Sequence, residues 1–142
     1  MSGRSAPAGY SGTPLPKKLG FTDATRLLVL DGPPDYDALV GPVPPGLVRV
    51  ARLTKATTVV HLFVLQRRAL ATRLAALRKS MHPDSAVWVS WPKKSARVPT
   101  DVTEDVIREV ALPLGFVDIK VCAVSDLWSG LKLVVRKELR AV

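Results

Sequence analysis

Apolar residues along this chain fall into short runs of two kinds, divided by prolines, glycines and charges. Arg26-Leu27-Leu28-Val29-Leu30, the β-branched and aromatic stretch 57–65, and Ala86-Val87-Trp88-Val89-Ser90-Trp91 are nearly continuous. Runs of that kind predict strands covered on both faces. Two later runs alternate instead. Over 116–124, Val117, Ile119, Val121 and Ala123 oppose Asp118, Lys120 and Cys122; over 131–136, Leu131, Leu133 and Val135 oppose Lys132 and Arg136. Alternation of period two marks strands whose faces differ, and the short connection 125–130 predicts that the pair forms an antiparallel hairpin. The stretch 47–53 alternates only loosely and is expected as one more strand.

Helical spacing appears twice. Leu70, Leu74, Leu77 and Met81 make one narrow apolar stripe over 66–81, the period of a helix packed on a core. Val102, Val106, Val110 and Leu114 repeat every four residues over 101–114, where Asp101 and Glu104 form a capping pattern and Pro113 and Gly115 end the helix. A single helical turn is expected over 15–21, closed by Gly20 and anchored by Leu15, Leu19 and Phe21. Another is expected over 35–40. The connector Gly41-Pro42-Val43-Pro44-Pro45-Gly46 is too stiff and too poor in donors for a sheet interior. Residues 1–14 read as a flexible arm and 15–142 as one domain. Strands alternating with helices predict a three-layer α/β fold, with a mainly parallel sheet and an antiparallel C-terminal hairpin. Right-handed crossovers then bring the carboxyl ends of the strands at 27–30, 59–65 and 86–91 to one edge.

Composition adds charge to this picture. Among the 142 residues, 21 Lys and Arg stand against 12 Asp and Glu, a net charge of +9. Such a surplus suits contact with a nucleic acid, an anionic small molecule or an acidic protein, and it also serves solubility. The helix 66–81 contains no acidic residue; Arg68 and Lys79 project from its polar face and are the candidates for an acidic partner. No apolar run approaches the roughly 20 residues a membrane helix needs, and the first residues lack a secretory core. A cytoplasmic protein with no membrane contact is expected. The single Cys122 fits a reducing compartment.

Candidate chemistry is sparse. No phosphate-binding loop signature is present, and His61, His82 and Cys122 have no metal-ligand spacing. His61, inside an apolar strand, reads as a hydrogen-bonded structural histidine. Asp31 and Gly32 end a strand, so Asp31 either anchors a ligand or caps the turn. The other candidates surround the end of the 86–91 strand: Ser90, Trp91, Lys93, Lys94 and Ser95, with Trp128 in the hairpin. Trp88 and Trp91 point to opposite faces. Either both indoles pack inside and the lysines stay hydrated, or one is core filler and the other joins Trp128 as a stacking surface beside the lysines.

Two resemblances follow from these segments. The helix, turn and strand Leu77-Arg78-Lys79-Ser80-Met81-His82-Pro83-Asp84-Ser85-Ala86-Val87-Trp88-Val89, with the closing strand pair, resembles class I S-adenosylmethionine-dependent methyltransferases in a cut-down, degenerate Rossmann-like form. That resemblance implies a Gly-rich loop after the first strand and an acidic side chain ending the second. Here the first strand ends Leu30-Asp31-Gly32-Pro33-Pro34 and the second candidate ends Arg52-Leu53-Thr54-Lys55, so both halves of the cofactor signature are missing. The closer match is to small bacterial proteins, mainly actinobacterial, grouped as a domain of unknown function. The chain resembles them in Ser11-Gly12-Thr13-Pro14-Leu15-Pro16-Lys17-Lys18-Leu19-Gly20, Trp88-Val89-Ser90-Trp91-Pro92-Lys93-Lys94-Ser95, Thr103-Glu104-Asp105-Val106-Ile107-Arg108 and Val121-Cys122-Ala123-Val124-Ser125-Asp126-Leu127-Trp128-Ser129-Gly130-Leu131-Lys132. The expectation from sequence is a protein with no catalytic residues and no cofactor. It would bind an anionic ligand or acidic partner at the strand edge formed by Asp31, Gly32, Ser90, Trp91, Lys93, Lys94, Ser95 and Trp128. The alternatives are a minimal methyltransferase and an interaction module working through Arg68 and Lys79.

Overall fold

The computed structural model describes residues 12–140; most of the expected N-terminal arm and the last two residues lie outside them. Helix α1 (Leu15–Lys18) leads into β1 (Arg26–Leu30), α2 (Tyr36–Val40) and β2 (Val48–Arg49). Strand β3 (Val59–Phe63), helix α3 (Arg67–Ser80), strand β4 (Ala86–Pro92) and helix α4 (Glu104–Ala111) follow, and β5 (Phe116–Ala123) and β6 (Trp128–Val135) close the chain. They form one six-stranded sheet in the order β2-β1-β3-β4-β6-β5. The four strands from β2 to β4 run parallel, while β6 is antiparallel to β4 and to β5. This is the expected three-layer α/β architecture.

Alternation along each central strand sorts its side chains between two cores. Leu28, Val60, Leu62, Val87, Val89 and Trp91 point to the face covered by α3 and α4, where Leu70, Leu74, Leu77, Ile107 and Ala111 meet them. Leu27, Phe63 and Trp88 point the other way, against Leu19, Phe21, Tyr36 and Val40 from the α1 and α2 layer. Both tryptophans of β4 are therefore inside, Trp88 fully and Trp91 at 8% exposure. Of the two readings, packing of both indoles inside holds and the open stacking surface with Trp128 does not, because each face of the strand carries a helix layer. The Trp88 indole N–H also donates to the Leu19 carbonyl at 2.9 Å, satisfying a backbone group that α1 leaves open.

Three element boundaries differ from expectation for local reasons. The stretch 47–53 pairs only over Val48–Arg49, since β2 is an edge strand that follows a proline-rich connector. Asp101 does not cap the second long helix. Its carboxylate accepts from the Arg67 backbone N–H at 2.6 Å and so caps α3, while the Thr103 hydroxyl caps α4 by accepting from Val106 N–H. That later start buries Ile107 and Ala111 fully, and Val106, Val110 and Leu114 are left at the rim of the core. On β5, Ile119 and Val121 are exposed at 56% and 55%, since the strand is the sheet edge and a bulge between Asp118 and Lys120 breaks its alternation.

Candidate functional site

Strand β1 lies between β2 and β3, so the chain leaves it in one direction and returns on its other side. At such a switch point the connections from neighbouring strands diverge and leave a crevice beyond the carboxyl ends. Sequence and backbone shape its lip. Asp31 ends β1 with φ of 58°, in the left-handed region that aspartate tolerates better than most residues. At Gly32 an added Cβ would stand 2.6 Å from Val29 Cγ1, so the chain turns too tightly here for any side chain. The Asp31 carboxylate is held by a two-pronged contact: Arg73 Nε and Nη2 each donate to one oxygen at 3.0 Å. The crevice holds about 400 Å³ and is lined by Asp31, Pro33, Phe63, Gln66, Ala69 and Trp128. Its aromatic wall is a right-angled pair, with the Phe63 and Trp128 rings 4.9 Å apart.

A second, larger groove of about 820 Å³ shares Pro33 and Trp128 with the first. It lies between the start of α1, the α2 segment and the β5–β6 turn, with Leu15, Leu39 and Leu127 among its apolar residues and Asp35, Asp126 and Lys18 among its polar ones. Both volumes fall in the range of small-molecule sites, and the mainly apolar lining with a few polar groups is typical of them.

Beneath these clefts lies a buried polar chain. The Tyr36 hydroxyl and His61 Nδ1 are 2.8 Å apart, and His61 Nε2 and Ser90 Oγ are also 2.8 Å apart. His61 and Ser90 are wholly excluded from solvent. Burial holds the imidazole neutral, with its pKa pushed down to about 3. Burial likewise raises the Tyr36 hydroxyl, against a smaller opposing pull from Arg49, whose guanidinium sits 5.1 Å over the ring. The neutral chain has two proton arrangements of equal hydrogen-bond count: Tyr36 donates to Nδ1 and Nε2–H to Ser90, or both donors reverse. His61 also stacks on Phe63 at 4.4 Å, so the network supports the aromatic wall of the crevice. Sequence reading placed His61 as a bonded structural histidine but offered no signal that Tyr36 was its partner.

The expected site residues do not assemble into one surface. Asp31 and Trp128 come together at the crevice while Gly32 lines neither cleft, Ser90 faces His61 inside the sheet and Trp91 lies in the α3–α4 core. Lys93 is tied through its backbone N–H to the Leu127 carbonyl at 2.7 Å, and Lys94 and Ser95 stand in an exposed 3-10 turn. Arg68 and Lys79 are exposed on α3. Cys122 is half-buried, and burial raises its thiol against the smaller pull of Lys18 and Lys120. Among the described residues no three of His, Cys, Asp and Glu are gathered as a metal centre requires.

Comparison with solved structures places this architecture. A Methanococcus jannaschii fibrillarin, described as a pre-rRNA processing protein, superposes with a TM-score of 0.51 at 10% identity, over 88% of this chain and 70% of that one. Aeropyrum pernix fibrillarin, in complex with natively bound S-adenosyl-L-methionine, gives 0.51 at 13% identity over 89% and 70%. The chain has the class I methyltransferase-like fold. LepI in complex with S-adenosylmethionine is a more distant match, with a TM-score of 0.48 and 36% of its length covered. No protein-family model and no curated protein matches the chain.

These neighbours correct the leading functional expectation. The two fibrillarin matches, one of them with natively bound S-adenosyl-L-methionine, favour the methyltransferase alternative over a non-catalytic binder of an anion or an acidic partner. The physical reason lies in the edge itself. Its one carboxylate at the crevice is already matched by Arg73, its serine and tryptophan on β4 are interior, and its lysines stand on a surface turn outside both clefts.

Proposed function

We propose that this chain is a minimal S-adenosylmethionine-dependent methyltransferase that holds the cofactor in the crevice at the carboxyl ends of β1 and β3. The observation that carries the reading is the crevice itself, set at the switch point of the sheet and walled by Phe63 and Trp128. The residues present fit the cofactor in a rearranged pose. Strand β2 ends at Arg49, followed by Val50, Ala51 and Arg52, so no carboxylate is available there, and Pro33 and Pro34 have no N–H to offer. Asp31 supplies the acidic group from the neighbouring strand instead.

Asp31, Gln66, Phe63 and Trp128 would hold the cofactor, which when bound supplies an electrophilic methyl group on a cationic sulfur. Aromatic faces favour positive charge. The Arg73 fork orients the Asp31 carboxylate. Phe63 and Trp128 exclude water from one side of the crevice, and the Tyr36–His61–Ser90 chain fixes Phe63 from below without exchanging protons with solvent. The same reading is proposed for the small bacterial family this chain resembles, whose shared Trp88–Ser95 and Trp128–Lys132 segments contribute Ser90 to that support and Trp128 to the wall.

Calorimetry and thermal unfolding with S-adenosylmethionine and S-adenosylhomocysteine test the proposal. Ligand at a hundred times its Kd stabilises the native state by about 2.7 kcal/mol, and Ala69→Phe, which fills the crevice from α3, should abolish the effect while the variant stays folded. Absence of any stabilisation at millimolar ligand sinks the reading.

A further inference from the structure

The larger groove differs from the rest of the molecule in charge. The chain carries +9 overall, but the groove presents two carboxylates, Asp35 and Asp126, and one cation, Lys18. The Lys18 ammonium is engaged, donating to the Ala123 carbonyl at 3.2 Å. Neither carboxylate has an ion-pair partner among the described residues, and Asp35, at the N-terminus of α2, makes no capping bond. Both are exposed at the rim, and the interior between them is apolar: Leu15, Leu39 and the Trp128 indole. A polyanion meets like charge here, whereas an apolar body carrying an amine meets a matching wall and a matching rim.

We infer that this groove is the acceptor site, and that it takes small apolar amines: the amine would release a proton to solvent at the exposed rim, its nitrogen would form the new bond to the methyl carbon as the sulfur–methyl bond breaks, and the demethylated thioether would leave from the crevice. The inference rests on the transferase reading for the word acceptor, and on the groove alone for its selectivity. The arrangement of the two cavities supports it. Pro33 and Trp128 belong to the lining of both the groove and the crevice, so the two spaces adjoin at that residue pair. Charge complementarity also separates this surface from the basic face of α3, which lies across the sheet with the α3–α4 core.

Titration calorimetry with three indole probes of one shape tests the selectivity. Tryptamine should bind about tenfold more tightly than indole-3-acetate, with 3-methylindole between them, a modest preference because the two carboxylates are solvent-exposed. In the Asp35→Asn/Asp126→Asn variant the three affinities should converge to within about twofold. Ala38→Trp adds bulk to the groove from an exposed position on α2 and should abolish tryptamine binding, with S-adenosylmethionine binding unchanged. Equal or tighter binding of indole-3-acetate, no binding of tryptamine at millimolar concentration, or tryptamine binding that survives Ala38→Trp overturns the inference. Cofactor binding measured on the same samples separates the two claims. Cofactor bound without tryptamine overturns the acceptor groove alone. Tryptamine bound without cofactor overturns the transferase and leaves the amine selectivity of the groove in place.

Discussion

The Tyr36–His61–Ser90 chain makes stability depend on pH in a way that a single variant can isolate. In the unfolded chain the His61 imidazole binds a proton below about pH 6.5, whereas in the folded protein it stays neutral down to about pH 3. Between those values the unfolded state holds more protons, so stability is full above pH 6.5 and falls as pH falls through the window. The slope is about 1.4 kcal/mol per pH unit, and at most about 4–5 kcal/mol is lost by pH 3. Urea unfolding of the wild type at pH 7, 6, 5 and 4 should show this decline, added to whatever the carboxylates contribute. The Tyr36→Phe/His61→Leu/Ser90→Ala variant retains every other titrating group except the Tyr36 hydroxyl, which stays protonated across this range. The difference between the two profiles therefore reports His61. At neutral pH the same variant tests the hydrogen bonds. Ser90→Ala alone leaves Nε2 without its partner at 2.8 Å and should cost about 1–3 kcal/mol, and Tyr36→Phe a similar amount through Nδ1. The triple variant leaves no polar atom of the chain unpaired, so its loss should be smaller than the sum of the two singles. Parallel pH profiles for wild type and triple variant, or a triple loss equal to that sum, would refute the reasoning.

Four further outcomes follow from geometry already described. Trp88→Phe removes the indole N–H from the Leu19 carbonyl and leaves a void under α1, and should lower stability by about 2–4 kcal/mol in chemical denaturation. Gly32→Ala places a Cβ 2.6 Å from Val29 Cγ1 and should cost about 1–3 kcal/mol and weaken cofactor binding by calorimetry. Asp101→Ala removes the cap of α3 and should cost about 1 kcal/mol, read as a lower urea midpoint at unchanged m-value. Lys93→Ala/Lys94→Ala should change stability by less than about 0.5 kcal/mol and leave the cofactor-induced melting shift intact, since neither side chain lines a cleft.

The layers of this fold were legible because its strands and long helix carry strong periods. The run 26–30 became β1 at both boundaries, and Leu70, Leu74 and Leu77 are fully or almost fully buried on α3. Where the reading went astray, a tertiary contact outweighed a local pattern. Asp101 has the spacing of a cap for the helix that follows it, but it turns to the N-terminus of α3, which has no side-chain cap of its own. The alternation of Ile119 and Val121 implies a buried face, but an edge position and a bulge leave both outside. The binding surface was misplaced for a similar reason. Ser90 and Trp91 belong to a strand end, which suggests exposure, whereas β6 pairs with β4 as far as Pro92 and helices cover both faces. The groove had no linear signal at all, because its walls come from residues near 15, 39 and 127.

Those walls and the buried polar chain have a common origin in the shortness of α1 and α2, of four and five residues. Helices of that length are not stable on their own, so the sheet must hold them through specific anchors rather than through a long apolar stripe. Trp88 holds the end of α1 by its indole N–H, and His61 holds α2 by the Tyr36 hydroxyl. Among the described residues two such short helices do not cover the sheet face completely, and the groove bounded by Leu15, Leu39 and Trp128 lies between them. The polar interior and the open groove are thus two results of one truncation. Loosening either anchor should disturb the groove before it unfolds the α3–α4 side, whose core joins the sheet to the longer helices and uses no residue of α1 or α2.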